Sequence, residues 1–452
     1  MPRQRYEVIV VGAGPAGLFA CYELVKHGFR DIALIDRGGN VAQRMVDREI
    51  LFGVGGAGLH SDGKLNFTPR RGKTDLTEFL PLAEAQVLID YLEEAFAQFG
   101  MTGKSYPSDM AAAKELRSRA KKLGMDLMLV KQKHLGSDRL PGYMEQMQTF
   151  LTDAGVELLS KTVVEGVSSH NNDGISVTTT PHGEITSHYL LLAPGRSANQ
   201  WLADQMSALG GDLAYQPIEV GVRVELAEEI LEGITDIMYD PAIFLYSQSY
   251  DDQLRTFCTN PSGFVVREDY KEFVCVNGHA YKSRHSANSN FALLNKISLS
   301  EPITNTIAYG ESIAKLANTI GAGKPLLQRY ADFRRYRRST WGRLSKGYVN
   351  PTMPDATPGD IGMALPHRVV VNLLEGLQRL DQLIPGVVSD STLLYAPEVK
   401  FHSCRPKTDQ YLETQVHNVF IAGDGAGVSG NIVGAAATGV IAARRILERA
   451  GN

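Results

Sequence analysis

The sequence predicts an α/β protein. A parallel, doubly wound sheet would be assembled from the two ends and part of the middle of the chain, with a helical insertion and a second, α+β domain between the pieces. Three observations carry this expectation. "YEVIVVGAGPAGLFACYELVKHG" near the start reads strand, tight turn, helix. "HNVFIAGDGAGVSGNIVGAAATGVIAARRIL" near the end repeats that order. From about Leu213 to Pro366 the pattern changes to short strand-like runs such as "EVGVRVEL", "AIFLYS" and "EFVCVNG". At 452 residues the chain has room for two or three domains, and 43% hydrophobic with 21% charged residues is ordinary for a globular protein.

The first element is a strand, because the apolar run before Gly12 suits a strand buried on both faces of a parallel sheet. Leu18, Cys21, Tyr22, Leu24 and Val25 then recur at helical spacing, and Gly28 can close the helix. Between them Gly12, Gly14 and Gly17 spell G-x-G-x-x-G. Gly12 permits the tight turn, Gly14 lets backbone approach a pyrophosphate, and Gly17 lets helix lie close to strand. Pro15 and Ala16 open the helix, whose N-terminal N–H groups and positive dipole end face the phosphates. A second strand, "DIALID", ends in Asp36, followed by Arg37. An acid about twenty residues beyond the glycines accepts hydrogen bonds from an adenosine ribose. Glycines, flanking strands, helix and acid together predict an adenine dinucleotide site.

A second G-x-G-x-x-G lies at Gly53, Gly55 and Gly58 in "LFGVGGAGLHSDGKLN". It lacks the context of the first: charged residues at helical spacing precede it, and a polar, glycine-broken stretch follows. The better reading is that it serves the first site, folding back across the carboxyl ends of the strands. Gly55, Gly56 and Gly63 would bring backbone close to the ligand, and Ser61, Asp62 and Lys64 would add polar groups. The alternative is a surface loop without a ligand.

The C-terminal segment favours a flavin over a nicotinamide. A nicotinamide dehydrogenase has no use for a strand, a Gly423-Asp424 turn and a small-residue helix so far from its glycines. In a flavoprotein, Asp424 can bind ribityl hydroxyls, and the helix beginning near Gly430, Asn431 and Ile432 can aim its N-terminus at the pyrimidine edge of the ring. A middle segment, "SHYLLLAPGRSANQWL", is a buried strand with a turn at Ala193, Pro194 and Gly195.

These segments together resemble the FAD-binding motifs of the flavoprotein superfamily that includes fumarate reductase, p-hydroxybenzoate hydroxylase and glutathione reductase. The middle motif, commonly A-T-G there, reads A-P-G here. The resemblance implies a discontinuous Rossmann-like FAD-binding domain, and it places Val163 of "SKTVVEGV" where main-chain groups meet the adenine. A closer resemblance, carried by "GVGGAGLHSDGKLN", "IEVGVRVE", "RTFCTNPSGFVV", "NGHAYKSRHSANSNFALL", "ATPGDIGMALPHR" and "LLYAPEVKFHS", covers nearly the whole chain. It is to a family of FAD-dependent dehydrogenases, also described as NAD(P)/FAD-dependent oxidoreductases. It implies that the second glycine loop wraps the flavin. In the loop Ser429, Gly430 and Asn431 the chain departs from such relatives, which are expected to carry a basic residue nearby.

The expected organisation is FAD-binding domain in residues 1–76, 134–212 and 367–452, helical insertion in 77–133, and substrate or lid domain in 213–366. No second strand-glycine-helix unit for NADH or NADPH is present, so a nicotinamide would act as a transient reductant without a Rossmann fold of its own. Candidate catalytic residues are His60 in the second glycine loop, and His402 and Arg405 in "KFHSCRPK". His279, Tyr281 and Arg284 are further candidates from the lid region. Cys21, Cys258, Cys275 and Cys404 form no C-x-x-C pair, and the histidines show no metal spacing.

A net charge of −4 argues against a general nucleic-acid binder. The segment Arg329–Lys346, with Arg334, Arg335, Arg337, Arg338 and Arg343, could still dock an electron-carrier protein or RNA, although a solvated, partly paired face is the simpler reading. The N-terminus shows no signal-peptide pattern, and the apolar C-terminal stretch is too short to span a bilayer, so a cytoplasmic protein is expected. The function expected is an FAD-dependent oxidoreductase acting on a small molecule. The alternatives are a flavin monooxygenase and a flavin-containing RNA- or protein-binding module.

Overall fold

The computed structural model describes residues 2–47, 49–61, 63–136, 138–170, 174–270, 272–281, 283–299, 305–401 and 404–451. It forms two compact units: Met1–Gly103, Lys133–Gln216 and Ser403–Asn452 make the first, Lys104–Gln132 and Pro217–His402 the second.

In the first unit, Val8, Ile9 and Val10 are fully buried, so strand Arg5–Val11 needs a neighbour at each edge and cover on both faces. Gly183–Leu192 pairs with it in parallel on one side and Ile32–Ile35 on the other. Glu157–Leu159 continues in parallel beyond Ile32–Ile35. On the opposite flank, Val163–His170, Gly174–Thr180 and Gly183–Leu192 form an antiparallel meander, and Val419–Ile421 pairs in parallel with the end of Gly183–Leu192. Helix Ile432–Arg449 crosses helix Pro15–Lys26 so closely that a Cβ on Gly439 would lie 2.0 Å from the carbonyl oxygen of Ala16. The run of Gly and Ala in that helix is what permits this approach.

In the second unit, eight strands run in the order Thr357–Pro358, Leu326–Arg329, Leu393–Lys400, Ile218–Ala227, Asn288–Ile297, Gln253–Asn260, Ala242–Tyr246 and Asp126–Met128. Alternation along Ile218–Ala227 assigns its faces. Ile218, Val220, Val222, Val224 and Leu226 join the apolar core under helices Thr306–Ile320 and His367–Leu383. Glu219, Arg223 and Glu225 point the other way, where the hairpin of Phe264–Asp269 and Val274–His279 covers Arg223.

The unit boundaries depart from the expected segments in two places. Both helices expected in 77–133 are present, yet they serve different cores. Leu82–Gln98 buries Leu88, Ile89, Leu92 and Phe96 in the first unit, with Phe96 and Phe19 ring centroids 4.4 Å apart. Met110–Lys122 packs Ala113 and Ala120 with Met125 and Leu127 in the second. Residues 367–402, expected with the third piece of the first domain, lie in the second unit, because helix His367–Leu383 buries Leu373 and Leu377 against Leu254 and Leu293 there. Helical period reveals an apolar face but not which core it meets. Among the described residues, no helix is long and apolar enough to cross a membrane.

Candidate functional site

Register brings the three glycine-containing turns of the first unit to one edge. Val11 sits opposite Leu192, and Leu192 opposite Ile421, so the chain leaves all three strands at the same level. Backbone bonds continue the row past the strand ends: Ala193 N–H donates to Val11 O at 2.7 Å, Ala422 N–H to Leu192 O at 3.0 Å and Gly12 N–H to Ile35 O at 2.7 Å. At Gly12, with φ of 102°, a Cβ would stand 2.1 Å from Ala193 O, so the first and middle turns touch at a position open only to glycine. Gly14 is the N-cap of helix Pro15–Lys26 and caps with no side chain. Pro15 has no N–H, so Ala16 and Gly17 offer the first donors of the helix end.

Asp36 is buried at the end of Ile32–Ile35 and ties three segments together. Its carboxylate accepts from Ala13 N–H at 2.8 Å, Gly38 N–H at 2.9 Å and Gly53 N–H at 2.7 Å. Arg37 lies over the Phe52 ring and donates to Ser197 Oγ. Thr162 N–H donates to Asp36 O, which brings the start of strand Val163–His170 beside that carboxylate; Val163 itself is 44% exposed.

The second glycine loop packs on the first. Gly55 N–H donates to Ala13 O at 2.8 Å, and a Cβ on Gly56 would stand 3.0 Å from Gly14 Cα. A single short helix, Gly56–His60, follows, with partly exposed His60 at its end. Ser61 closes its own turn by donating to Gly58 O and accepting from Gly63 N–H. Lys64 is buried in strand Lys64–Phe67, and Asp62 lies outside the described residues.

The organiser of this loop is Arg44, a residue that motif reading passes over. Its fully buried guanidinium donates to the carbonyls of Glu49 at 2.8 Å, Ile50 at 3.1 Å, Val54 at 2.6 Å and Gly56 at 3.0 Å. Burial pushes its pKa down to about 10, against the opposing charges of Asp36 and Glu49, so it stays a cation at neutral pH.

At the third turn, Gly423 N–H is held by Thr438 Oγ1. The Asp424 carboxylate is paired with the Lys73 ammonium on one oxygen and Arg196 Nε at 2.9 Å on the other. Thr74 Oγ1 accepts from Gly430 N–H and Asn431 Nδ2, and Asn431 Oδ1 caps helix Ile432–Arg449 at Gly434 N–H. Pro194 and Gly195 of the middle turn reach this loop too: a Cβ on Gly425 would stand 2.3 Å from Gly195 O, and Asn199 Nδ2 donates to Gly425 O. Arg405, a candidate proton donor, is spent on Glu78 at 2.6 Å and lies over Phe79. His402 falls outside the described residues. Lys73 and Thr74 belong to no sequence motif, and Arg196 and Asn199 lie in the middle segment beyond its Ala193-Pro194-Gly195 turn; the folded chain brings all four to the third turn.

In the second unit, His279 stacks on Tyr281, and Arg284 lies over Phe264, whose ring meets Tyr281 edge-on. The basic segment is partly neutralised: Arg329 and Arg337 converge on buried Asp332, and Arg334 pairs with Asp390. Arg335, Arg338 and Lys346 face solvent. On the polar face of the sheet, fully buried Arg223 makes a two-pronged pair with Glu398. Glu225 accepts from Tyr395 Oη, Asn288 Nδ2 and the main chain and hydroxyl of Thr352. Alternating charged residues in "IEVGVRVE" were the only sequence signal of this cluster.

This geometry defines the first unit as a doubly wound dinucleotide-binding protein with three convergent turns. The comparisons refine the class. Residues 217–401 match the model of the family described as FAD-dependent protein, C-terminal domain-like, and residues 10–66 match that of the NAD(P)-binding Rossmann-like domain. The chain thus joins a Rossmann-like nucleotide-binding segment to a region of the kind found in FAD-dependent proteins. An uncharacterized protein of Clostridium beijerinckii is 26% identical over 478 residues, covering 98% of this chain and 80% of the relative. Among solved structures, glycine oxidase from Geobacillus kaustophilus is 15% identical, covers 99% of this chain and 95% of its own, and has a TM-score of 0.43. The p-nitrophenol 4-monooxygenase PnpA from Pseudomonas putida DLL-E4 is 14% identical, covers 100% and 82%, and has a TM-score of 0.44.

The residues present fit the cofactor. Fully buried Ser429, just before the cap of helix Ile432–Arg449, has a hydroxyl with no hydrogen-bond partner among the described residues. The Cβ position of Gly14 meets nothing nearer than Gly56 Cα at 3.9 Å, which leaves backbone accessible at the start of the first helix.

Proposed function

We propose that this protein transfers a hydride between a small organic substrate and FAD held along the edge where the three turns meet. The observation that carries the reading is the common level of Val11, Leu192 and Ile421, which sets Gly12–Gly17, Ala193–Gly195 and Gly423–Asp424 side by side. When bound, FAD supplies a ring that accepts or returns a hydride at N5.

The chain's own residues do the rest. Gly14, Pro15, Ala16 and Gly17 present the helix start to the pyrophosphate. Asp36, with Arg37 beside it, lies at the ribose end, and the main chain of Val163 at the adenine. Gly55, Gly56 and Gly63, with Ser61 and Lys64, form the cover drawn over the first loop, with Arg44 holding its shape. Asp424 accepts ribityl hydroxyls, Pro194 and Gly195 shape the wall beside it, and Gly430, Asn431 and Ile432 present the second helix start to the ring. His60 is the candidate proton donor or acceptor that the first unit places in the covering loop. A nicotinamide dinucleotide or an electron-carrier protein would complete the second half-reaction.

The test is reconstitution of the purified protein with FAD, followed by anaerobic titration with NADH and then NADPH, reading visible absorption. Bleaching by one of them identifies the reductant, and readmitted oxygen then separates a reductase from a monooxygenase. A yellow protein bleached by neither is reduced by its substrate or by a carrier protein. Failure to take up FAD refutes the proposal.

A further inference from the structure

We propose that the first unit holds a dioxygen site, an apolar cavity directly behind two helix starts that face the cofactor, and that dioxygen taken from it accepts electrons from the reduced flavin. The inference rests on the FAD reading above and adds to it the class of the second substrate.

The first observation is the cavity itself. Its volume is about 20 Å³, above the roughly 10–15 Å³ that one small molecule requires. Protein interiors leave few voids of that size, because an unfilled space forfeits packing contacts. The deep walls are the buried rings of Phe19 and Phe96 and the buried thioether chains of Met144 and Met147. They stand on three helices of the same unit, Pro15–Lys26, Leu82–Gln98 and Leu140–Asp153.

The second is the chemistry of the walls. A buried water needs several polar partners, and this lining offers almost no polar surface, so the cavity stays dry. An organic substrate with polar groups would leave them unpaired there. Dioxygen is small, uncharged and apolar, and gains by leaving water for such a space. Methionine side chains adapt to an occupant of that size.

The third is where the cavity ends. Its outer wall is Pro15, Gly58 and Ile432. Pro15 and Ile432 are the first residues of the two helices whose starts meet the pyrophosphate and the ring. Gly58 is partly exposed as well as lining the cavity, so the wall is thinnest there. A Cβ on it would stand 3.5 Å from Pro15 Cγ and 3.9 Å from Ile432 Cγ1, ordinary contact distances. A methyl would therefore fill a gap that glycine leaves open. Dioxygen passing through that gap takes two electrons and the N5 proton from the reduced, anionic ring. One further proton comes from solvent, and hydrogen peroxide and oxidised FAD result.

The experiment begins with apoprotein and xenon, an apolar probe read by xenon NMR. Wild type should show a saturable shift, Gly58→Ala should keep it, and Met144→Phe, whose ring fills the cavity, should lose it. Each protein is then reconstituted with FAD, photoreduced without oxygen and mixed with oxygenated buffer. Wild type should reoxidise faster than free reduced FAD. Both variants should be slower than wild type by at least about fivefold, since oxygen must then come from bulk solution, with FAD affinity unchanged. No saturable xenon shift in wild type overturns the inference. So does wild-type reoxidation no faster than that of free reduced FAD, or a wild-type rate in Gly58→Ala or in xenon-free Met144→Phe. If Met144→Phe fails to fold or still takes xenon, Gly58→Ala decides alone. Wild type that binds xenon yet takes up no FAD refutes the underlying reading instead, which keeps the two failures distinguishable.

Discussion

Gly14 and Gly17 belong to one motif, yet substitution at each should fail in a different way, and this contrast tests the site directly. Gly14 has φ of −77° and ψ of −177°, which any residue can adopt, and its Cβ position meets only Gly56 Cα at 3.9 Å. An alanine there costs the fold little beyond its poor N-cap preference, about 0.5–1 kcal/mol. That lowers the melting temperature by about 1–4 °C in a unit of this size. Towards the cofactor the same methyl intrudes where the pyrophosphate meets the backbone. One extra methyl in a packed contact costs about 1–3 kcal/mol, which is a loss of about 5–150-fold in FAD affinity. Gly14→Val adds two more carbons and should be folded but colourless. A Cβ on Gly17, by contrast, would stand 1.9 Å from Gly12 O, so Gly17→Ala should lose apoprotein stability first. The assay pairs thermal unfolding of the apoproteins with FAD titration by flavin fluorescence. Wild-type FAD affinity in Gly14→Val refutes the placement of the pyrophosphate, and a wild-type melting temperature in Gly17→Ala refutes the packing argument.

Two further predictions concern buried charges. Arg44→Met strips the second glycine loop of its donor, and leaving even two carbonyls unpaired costs about 2–6 kcal/mol. FAD affinity should fall more than tenfold, with faster proteolysis between Glu49 and Ser61; Arg44→Lys should not rescue, because an ammonium lacks the planar fork. Unchanged affinity and proteolysis would show that the loop holds itself. Burial raises the Glu225 carboxyl above its usual value of 4.5, only partly offset by hydrogen bonds from Thr352, Tyr395 and Asn288. A raised acid binds its proton more tightly in the folded state, so its contribution to stability is complete below the unfolded value and declines as pH rises through the folded one. Between pH 4 and 8, wild type should lose melting temperature relative to Glu225→Gln; parallel curves for the two would contradict this.

Much of the first unit was legible in the chain itself. A buried strand, three spaced glycines, an amphipathic helix and a terminal acid are local features, and local sterics with hydrogen bonding suffice to place Gly12, Gly14, Gly17 and Asp36. That the second glycine loop lacks the setting of the first was legible too, since a charged helix, Val41–Asp47, precedes it in place of a strand and only the short helix Gly56–His60 follows. The small residues of helix Ile432–Arg449 likewise announced a close packing, although not that Ala16 would be its partner.

What only the tertiary structure decided were the relations between segments far apart in sequence. Lys73 meets Asp424, Arg196 meets Asp424, and Asn199 meets Gly425 because parallel strands bring the start, middle and end of the chain to one level; no periodicity encodes that pairing. Arg44 lies only nine residues from Gly53, but its role follows from burial among carbonyls and not from spacing. The same limit applied to helices Leu82–Gln98 and His367–Leu383. Period and amphipathicity determined that each would form and which face it would bury, whereas the core receiving that face was settled by the whole chain's packing, because apolar contact is non-directional and carries no address.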